Sequence, residues 1–379
     1  MSQATRLTRS GKLKDAVAAI QAALRRSPIA APVHTAPAPS AEVADVVDVQ
    51  AREVADNSPA ALADSFISGS HSDKAGTRDY KLYIPPAQPG PAGPGLPLVV
   101  MLHGCTQNPD DFAAGTRMNK AAAQQGCYVL YPAQTAAANP QRCWNWFKHN
   151  HQQRDRGEPA ILAGMVRSVI RQHTTGQHPI RQHPIGQHPI DPRRVYVAGL
   201  SAGGAMAAIL GQAYPDVFAA VGVHSGLPTG AASDVTSALM AMRGGMAGPL
   251  PAAFNPTTST PAVPANVAAR PPTIVFHGDQ DSTVHPVNGE RAAATAATAA
   301  PPEVRQVSTP DGRTSTQRIS RDASGRITTE HWVVHGAGHA WAGGSGLGSY
   351  TDAQGPDATH EMLRFFATHR LPDRLPVAH

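Results

Sequence analysis

From about residue 65 onward, short apolar runs alternate with amphipathic stretches. Residues 98–102 (LVVML) are continuously apolar, the mark of a strand buried on both faces. Residues 127–131 (CYVLY), 195–198 (VYVA), 219–223 (AAVGV), 273–276 (TIVF) and 332–334 (WVV) repeat that signature. Residues 65–69 and 80–84 read as a pair of strands ahead of them. Helical periodicity falls between several runs, at 111–125, 160–172 and 203–214. Strand–helix alternation of this kind predicts an α/β fold, a mostly parallel sheet with helices on both faces.

Two segments interrupt the pattern. Residues 176–190 repeat GQHPI-RQHPI-GQHPI and supply His178, His183 and His188. A proline after each histidine favours extended chain, so the repeat reads as an insert and not as a metal site. Residues 228–271 are poor in charge and rich in Pro, Ala and Thr, and read as a lid or a disordered insert in which 237–243 forms one short helix. Before residue 65 the pattern changes again. Residues 27–64 form a Pro/Ala-rich linker. In residues 1–26, Leu13, Val17, Ile20 and Leu24 share one helix face, and six basic residues face a single acid, Asp15. That segment is read as a short helix packed on the main domain, a frayed tail, a surface-binding helix or a transit peptide.

The chain has 379 residues, 41% hydrophobic and 16% charged, enough for a large core and too apolar for a disordered protein. The net charge of +5 resides in residues 1–26, so the body is electrically balanced and a nucleic-acid-binding surface is not expected. No run of about 18 apolar residues exists, and no transmembrane helix is expected. Neither an export leader nor an anchor is legible, so the location is expected to be cytoplasmic.

Chemistry concentrates at Gly199-Leu200-Ser201-Ala202-Gly203, between a strand and a helix. This is the setting of a G-x-S-x-G nucleophile elbow, in which a tight turn exposes the serine hydroxyl at a helix N-terminus. The chain order Ser, acid, His then directs attention downstream. Asp279 and Asp281 both follow the strand at 273–276, and the H-G-x-x-D-x-x-V pattern selects Asp281, leaving Asp279 as a turn former. Among His331, His335 and His339, the last lies in the glycine-rich loop Gly336-Ala337-Gly338-His339 and is the expected base. His224 is expected to be a hydrogen-bonded structural residue. The oxyanion requires two amide donors, assigned to Ala202 and to Cys105 in His103-Gly104-Cys105-Thr106-Gln107, with His103 shaping that turn. Cys127 reads as a buried hydrophobe. Cys105 and Cys143 both fall in loops near the site, and a disulfide between them is an open expectation. Trp144, Asn145, Trp146 and Phe147 form a loop aromatic run that reads as a substrate cleft or a satellite core. Trp341, beside His339, has the stronger claim to touch substrate. No metal or cofactor is implied.

Taken together, Leu102-His103-Gly104-Cys105-Thr106-Gln107, Cys143-Trp144-Asn145-Trp146-Phe147, the elbow, His277-Gly278-x-x-Asp281, Gly338-His339-x-Trp341 and the closing stretch at 343–366 resemble the polyhydroxybutyrate depolymerase family of esterases. The resemblance covers roughly 65–370 and implies an α/β-hydrolase fold and a serine esterase. The implied substrates are short-chain polyhydroxyalkanoates or similar esters. It implies Ser201, Asp281 and His339 as the triad and strengthens the Cys105–Cys143 pairing. The missing leader and the lack of an added binding domain point to an intracellular enzyme acting on granules or soluble oligomers, with residues 1–26 as a granule contact. Two alternatives stand: a feruloyl or acetylxylan esterase, and a granule-binding protein with an inert hydrolase body.

Overall fold

The computed structural model describes residues 65–86, 95–174, 189–244, 270–294, 300–310 and 312–373, all within one unit, Ser58–His379. The expected N-terminal helix and linker, the repeat at 175–188 and residues 245–269 of the insert lie outside the described residues.

The strands are β1 (Ser65–Asp73), β2 (Gly76–Ile84), β3 (Leu96–Leu102), β4 (Tyr128–Pro132), β5 (Ile190–Leu200), β6 (Ala220–His224), β7 (Thr273–Gly278), β8 (Glu303–Ser308), β9 (Thr314–Arg321) and β10 (Ile327–Val334). They form a ten-stranded sheet in the order β1-β2-β4-β3-β5-β6-β7-β10-β9-β8. The six central strands, β4 to β10 in that order, run parallel, and antiparallel hairpins extend both ends. A small parallel pair, β11 (Trp341–Ala342) and β12 (Thr351–Asp352), stands apart.

Side-chain alternation in the central strands feeds two separate cores. Leu98, Val100 and Leu102 of β3 face α3 (Gly157–Thr174) and α4 (Ala202–Ala213), meeting Leu162, Val166 and Met206. Val99 and Met101 face α1 (Pro109–Thr116), α2 (Met118–Gln125) and α7 (Ala358–Ala367), meeting Phe112, Met118 and Phe366. Two more helices, α5 (Val235–Met242) and α6 (Val287–Ala294), flank the first core.

The single helix expected at 111–125 is two helices. Arg117 adopts a left-handed φ of 53° between them, and its guanidinium donates to the Gly343 and Gly344 carbonyls. A long-range contact therefore overrides local periodicity. The strands β8 and β9 were not legible either, because an exposed edge strand such as EVRQVS carries no apolar run. Glu303 and Arg305 on it are of the kind that discourages edge-to-edge association. Among the described residues no helix is long and apolar enough to cross a membrane.

Candidate active site

β5 ends at Leu200 and α4 begins at Ala202, so one residue turns the chain. That residue, Ser201, has φ 58° and ψ −118°, and its amide donates to the His224 carbonyl at 2.9 Å. The turn leaves no room for side chains beside it. A Cβ on Gly203 would lie 2.0 Å from the Leu102 carbonyl oxygen, and one on Gly199 would lie 2.4 Å from the Gly203 backbone. Strain at a single serine with glycine on either side is the elbow the sequence predicts. The Ser201 hydroxyl makes no hydrogen bond to another described residue.

Asp281 follows β7 and His339 follows β10, the strand beside β7. The two side chains meet: His339 Nδ1 donates to Asp281 Oδ2 at 2.7 Å. Asp281 Oδ1 accepts from the Thr283 and Val284 amides at 2.9 and 2.8 Å, and His277 Nε2 lies 3.3 Å from Oδ2. Burial alone would raise the Asp281 pKa. The hydrogen bonds from His277, His339 and the Val284 amide outweigh it and hold the carboxyl well below its ordinary range. An ionised Asp281 only accepts, so His339 carries its proton on Nδ1 and leaves Nε2 with a free lone pair. Ser201, Asp281 and His339 thus all emerge beyond the carboxyl ends of parallel strands, β5, β7 and β10, where open α/β sheets place their sites.

Asp279 caps rather than catalyses. It accepts from the Gly336 amide at 2.7 Å and pairs with His335 Nδ1 at 2.9 Å, tying down the start of the His339 loop. His224 supports the same loop from below. The Ala342 amide donates to its Nε2 at 2.9 Å, and its ring is stacked on those of Trp341 and Phe276. Burial, with the neighbouring His277 and His339 imidazoles, lowers the His224 pKa to about 3 and keeps it neutral.

The loop after β3 lies against the elbow: a Cβ on Gly104 would be 3.7 Å from the Ser201 Cβ. Within that loop the Gly104 amide is used, donating to Gln107 Oε1 at 2.8 Å, whereas the Cys105 amide has no acceptor among the described residues. Ala202 opens α4, where first-turn amides lack helical partners. Both expected oxyanion donors are therefore available. His103 shapes the turn: it accepts from the Gln134 amide through Nε2 and donates from Nδ1 to the Gly104 carbonyl at 2.7 Å. Burial lowers its pKa to about 4.

Cys105 and Cys143 form a disulfide. Cys127 is buried and free. Cys143 is held in turn by Gln134, whose Nε2 donates to its carbonyl at 3.0 Å and to the buried Glu158 at 2.5 Å. Glu158 also accepts from the Asn145 amide and side chain, both at 2.7 Å. Burial alone would raise the Glu158 pKa, but its contacts with His151, Gln134 and Asn145 outweigh that and keep it low. Sequence reading missed Glu158, Gln134 and the anchoring role of Gln107. The one available signal was a lone acid opening an otherwise apolar helix, which reads first as a partner of the helix dipole. Closing a loop with a sequence separation of 38 residues, the bridge is expected to contribute about 3–4 kcal/mol. The double variant Cys105→Ser/Cys143→Ser should lose that much in urea unfolding, and an unchanged midpoint would show that the Glu158 network alone holds the loop.

The substrate-contact expectations divide. Trp146 lines a cavity of about 170 Å3 that also contains Ser201, Ala202 and Cys105. Trp144, Asn145 and Trp341 do not reach it. Trp144 is fully buried, with its Nε1 on the His103 carbonyl at 3.1 Å. Asn145 is spent on Glu158. Trp341 lies between Phe112 and His224 and donates to Thr359 Oγ1 at 3.0 Å. His339 lies in the bend at 339–340, whereas Trp341 opens β11 and its pairing with β12 sets the indole into the core.

Sheet order, elbow and acid–histidine pair define an α/β-hydrolase. The acetyl xylan esterase of Aspergillus awamori shares the fold, with a TM-score of 0.55 at 17% identity over 80% of this chain and 99% of that one. The sequence model of the family described as Esterase PHB depolymerase matches residues 78–297, and the chain belongs to that family. Poly(3-hydroxyalkanoate) depolymerase C of Paucimonas lemoignei is 32% identical over 54% of this chain and 44% of its own length. Poly(3-hydroxybutyrate) depolymerase of Ralstonia pickettii is 31% identical over 73% of this chain and 54% of its own. Acetylxylan esterase A of Talaromyces purpureogenus is 26% identical over 75% and 72%. The chain spans about half the length of the two bacterial relatives.

Proposed function

We propose that this chain is a serine esterase that hydrolyses poly(3-hydroxybutyrate) or its short oligomers through an acyl-enzyme. The observation that carries the mechanism is the part-buried Asp281–His339 hydrogen bond at the same sheet edge as the Ser201 elbow. Ser201 Oγ attacks the ester carbonyl carbon while His339 Nε2 takes its proton. The Cys105 and Ala202 amides hold the oxyanion of the tetrahedral intermediate. That intermediate collapses as His339 returns the proton to the leaving alcohol, leaving Ser201 acylated. Water, deprotonated by His339, then attacks the acyl carbonyl, and the acid leaves as Ser201 is regenerated.

The polyester substrate is supported by the two bacterial depolymerases, whose names state that substrate class. The acetylxylan relative supports a second reading, an ester of plant polysaccharide. Contact of residues 1–26 with a polymer granule belongs to the first reading and rests on their charge and apolar stripe alone. The Cys105–Cys143 bridge favours an oxidising compartment over the cytoplasm, since cytosolic thiols are kept reduced. The deciding assay offers amorphous polyhydroxybutyrate granules, soluble 3-hydroxybutyrate oligomers, acetylated xylan and methyl ferulate in parallel. Release of 3-hydroxybutyrate is the expected result. Turnover of acetylated xylan or ferulate alone would keep the mechanism and replace the substrate.

A further inference from the structure

The cavity beside Ser201 is roofed by α5, and the roof is held in place. Val235, Ala238, Leu239 and Met242 all line the cavity, and their spacing of i, i+3, i+4 and i+7 is one helix face. At its N-terminus Asp234 and Ser237 cap each other, with the Ser237 amide on Asp234 Oδ1 at 2.8 Å. Just ahead of it, Gln152 Nε2 donates to the Ala232 carbonyl at 2.6 Å. At the C-terminus the buried Asn288 donates to the Ala241 carbonyl at 2.8 Å, and the His285 amide donates to the Met242 carbonyl at 2.7 Å. Val284, from the loop that carries Asp281, also lines the cavity.

The cavity contains the nucleophile and both oxyanion donors, yet His339 is not among its walls. A leaving alcohol must sit within reach of the histidine that protonates it. The space on the other side of the carbonyl therefore receives the acyl chain. None of the described residues lining it is charged, so it suits a neutral aliphatic chain and disfavours a carboxylate-bearing one. Its size of about 170 Å3 compares with the roughly 150 Å3 cavity that takes up one benzene in an engineered protein, six carbon atoms. A feruloyl group has more than twice that many heavy atoms.

Depth and mouth are set by different residues. Ala238 is 6% exposed and presents only a methyl group, so the inner space exists because this position is small. Val235 and Leu239 are 50% and 44% exposed, so they stand where the cavity meets solvent. We propose that Ala238 and Leu239 are the specificity-determining residues of the acyl site. Ala238 sets the depth and Leu239 narrows the mouth, which limits the enclosed acyl group to about four to six carbons. This rests on the serine esterase reading and refines it.

The test is the acyl-length profile of kcat/KM on p-nitrophenyl acetate, butyrate, hexanoate and octanoate. Ala238→Leu fills the inner space and is expected to lower the hexanoate-to-acetate ratio by tenfold or more. Leu239→Ala is expected to raise the octanoate-to-butyrate ratio several-fold. If Ala238→Leu does not fold, Ala238→Val applies the same constraint with less added volume, and the exposed Leu239→Ala reads out independently. Ratios that stay within twofold of wild type in the variants that fold overturn the assignment while leaving the esterase reading intact. A wild-type protein that cleaves none of the four esters overturns the esterase reading, and the acyl-site assignment falls with it.

Discussion

Ser201→Ala is expected to reduce kcat on any cleaved ester by about 10^4- to 10^6-fold, the loss seen when a triad nucleophile is removed. Ser201 is the only residue in the turn between β5 and α4, and the turn's strain is carried by its backbone, which alanine adopts with the same Cβ. The oxyanion amides of Cys105 and Ala202 and the apolar cavity are untouched, so ester binding should persist while attack does not. The measurement is single-turnover release of p-nitrophenol together with the binding of a non-hydrolysed ester. Activity within tenfold of wild type would remove Ser201 from the mechanism, and a wild type that cleaves no ester would bring forward the inert, granule-binding alternative.

Acid is expected to unfold the protein cooperatively at about pH 4–5, where four buried imidazoles resist the protons that the unfolded chain takes up. Four histidines are buried with lowered pKa values: His103 and His369 at about 4, His224 and His331 at about 3. Burial is the leading cause in each. His369, beyond α7, has neither ring nitrogen hydrogen-bonded to a described residue, and the same holds for His331 Nε2 in β10. In the unfolded chain each takes up a proton near pH 6.5. The folded state refuses that proton until about pH 3–4, so between these limits the unfolded state binds more protons and stability falls as pH falls. One such group costs about 1.4 kcal/mol per pH unit, and four together rival the 5–15 kcal/mol stability of a domain. Asp281 acts in the same direction at lower pH: its pKa is depressed in the fold, so its contribution is present above about pH 4 and is lost below it. Tryptophan fluorescence and circular dichroism across pH 3–8 at constant ionic strength would show the transition. A flat signal down to pH 3.5 would mean that these imidazoles gain partners or water on protonation.

Much of the molecule was legible from its sequence, and the reasons are local. A strand buried on both faces must be apolar without interruption, so β3, β4, β6 and β7 announced themselves within two residues of their ends, and β5 in its apolar second half. The elbow announced itself because its backbone tolerates only glycine beside the serine, and Gly199 and Gly203 leave no room for a Cβ. Asp281 and His339 could be chosen because each follows a strand whose position in the sheet fixes where its loop emerges.

The candidates for the chemistry of the site were thus readable in the chain alone: a serine on a tight turn, a carboxylate and an imidazole in the order of a triad, and two loops able to offer amides. Only the tertiary structure decided which neighbours serve that chemistry. Trp341 and Trp144 face the core, and Trp146 faces the cavity. Glu158, 15 residues beyond Cys143 in the chain, anchors the loop bridged to the oxyanion turn. Gln107 holds the turn itself, and α5, the short helix expected in the insert, lines the cavity beside Ser201. The physical reason is the range of the forces involved. Backbone strain and strand burial act within a few residues and leave a local pattern, whereas a buried carboxylate or an aromatic ring is placed by partners that only the fold brings into contact.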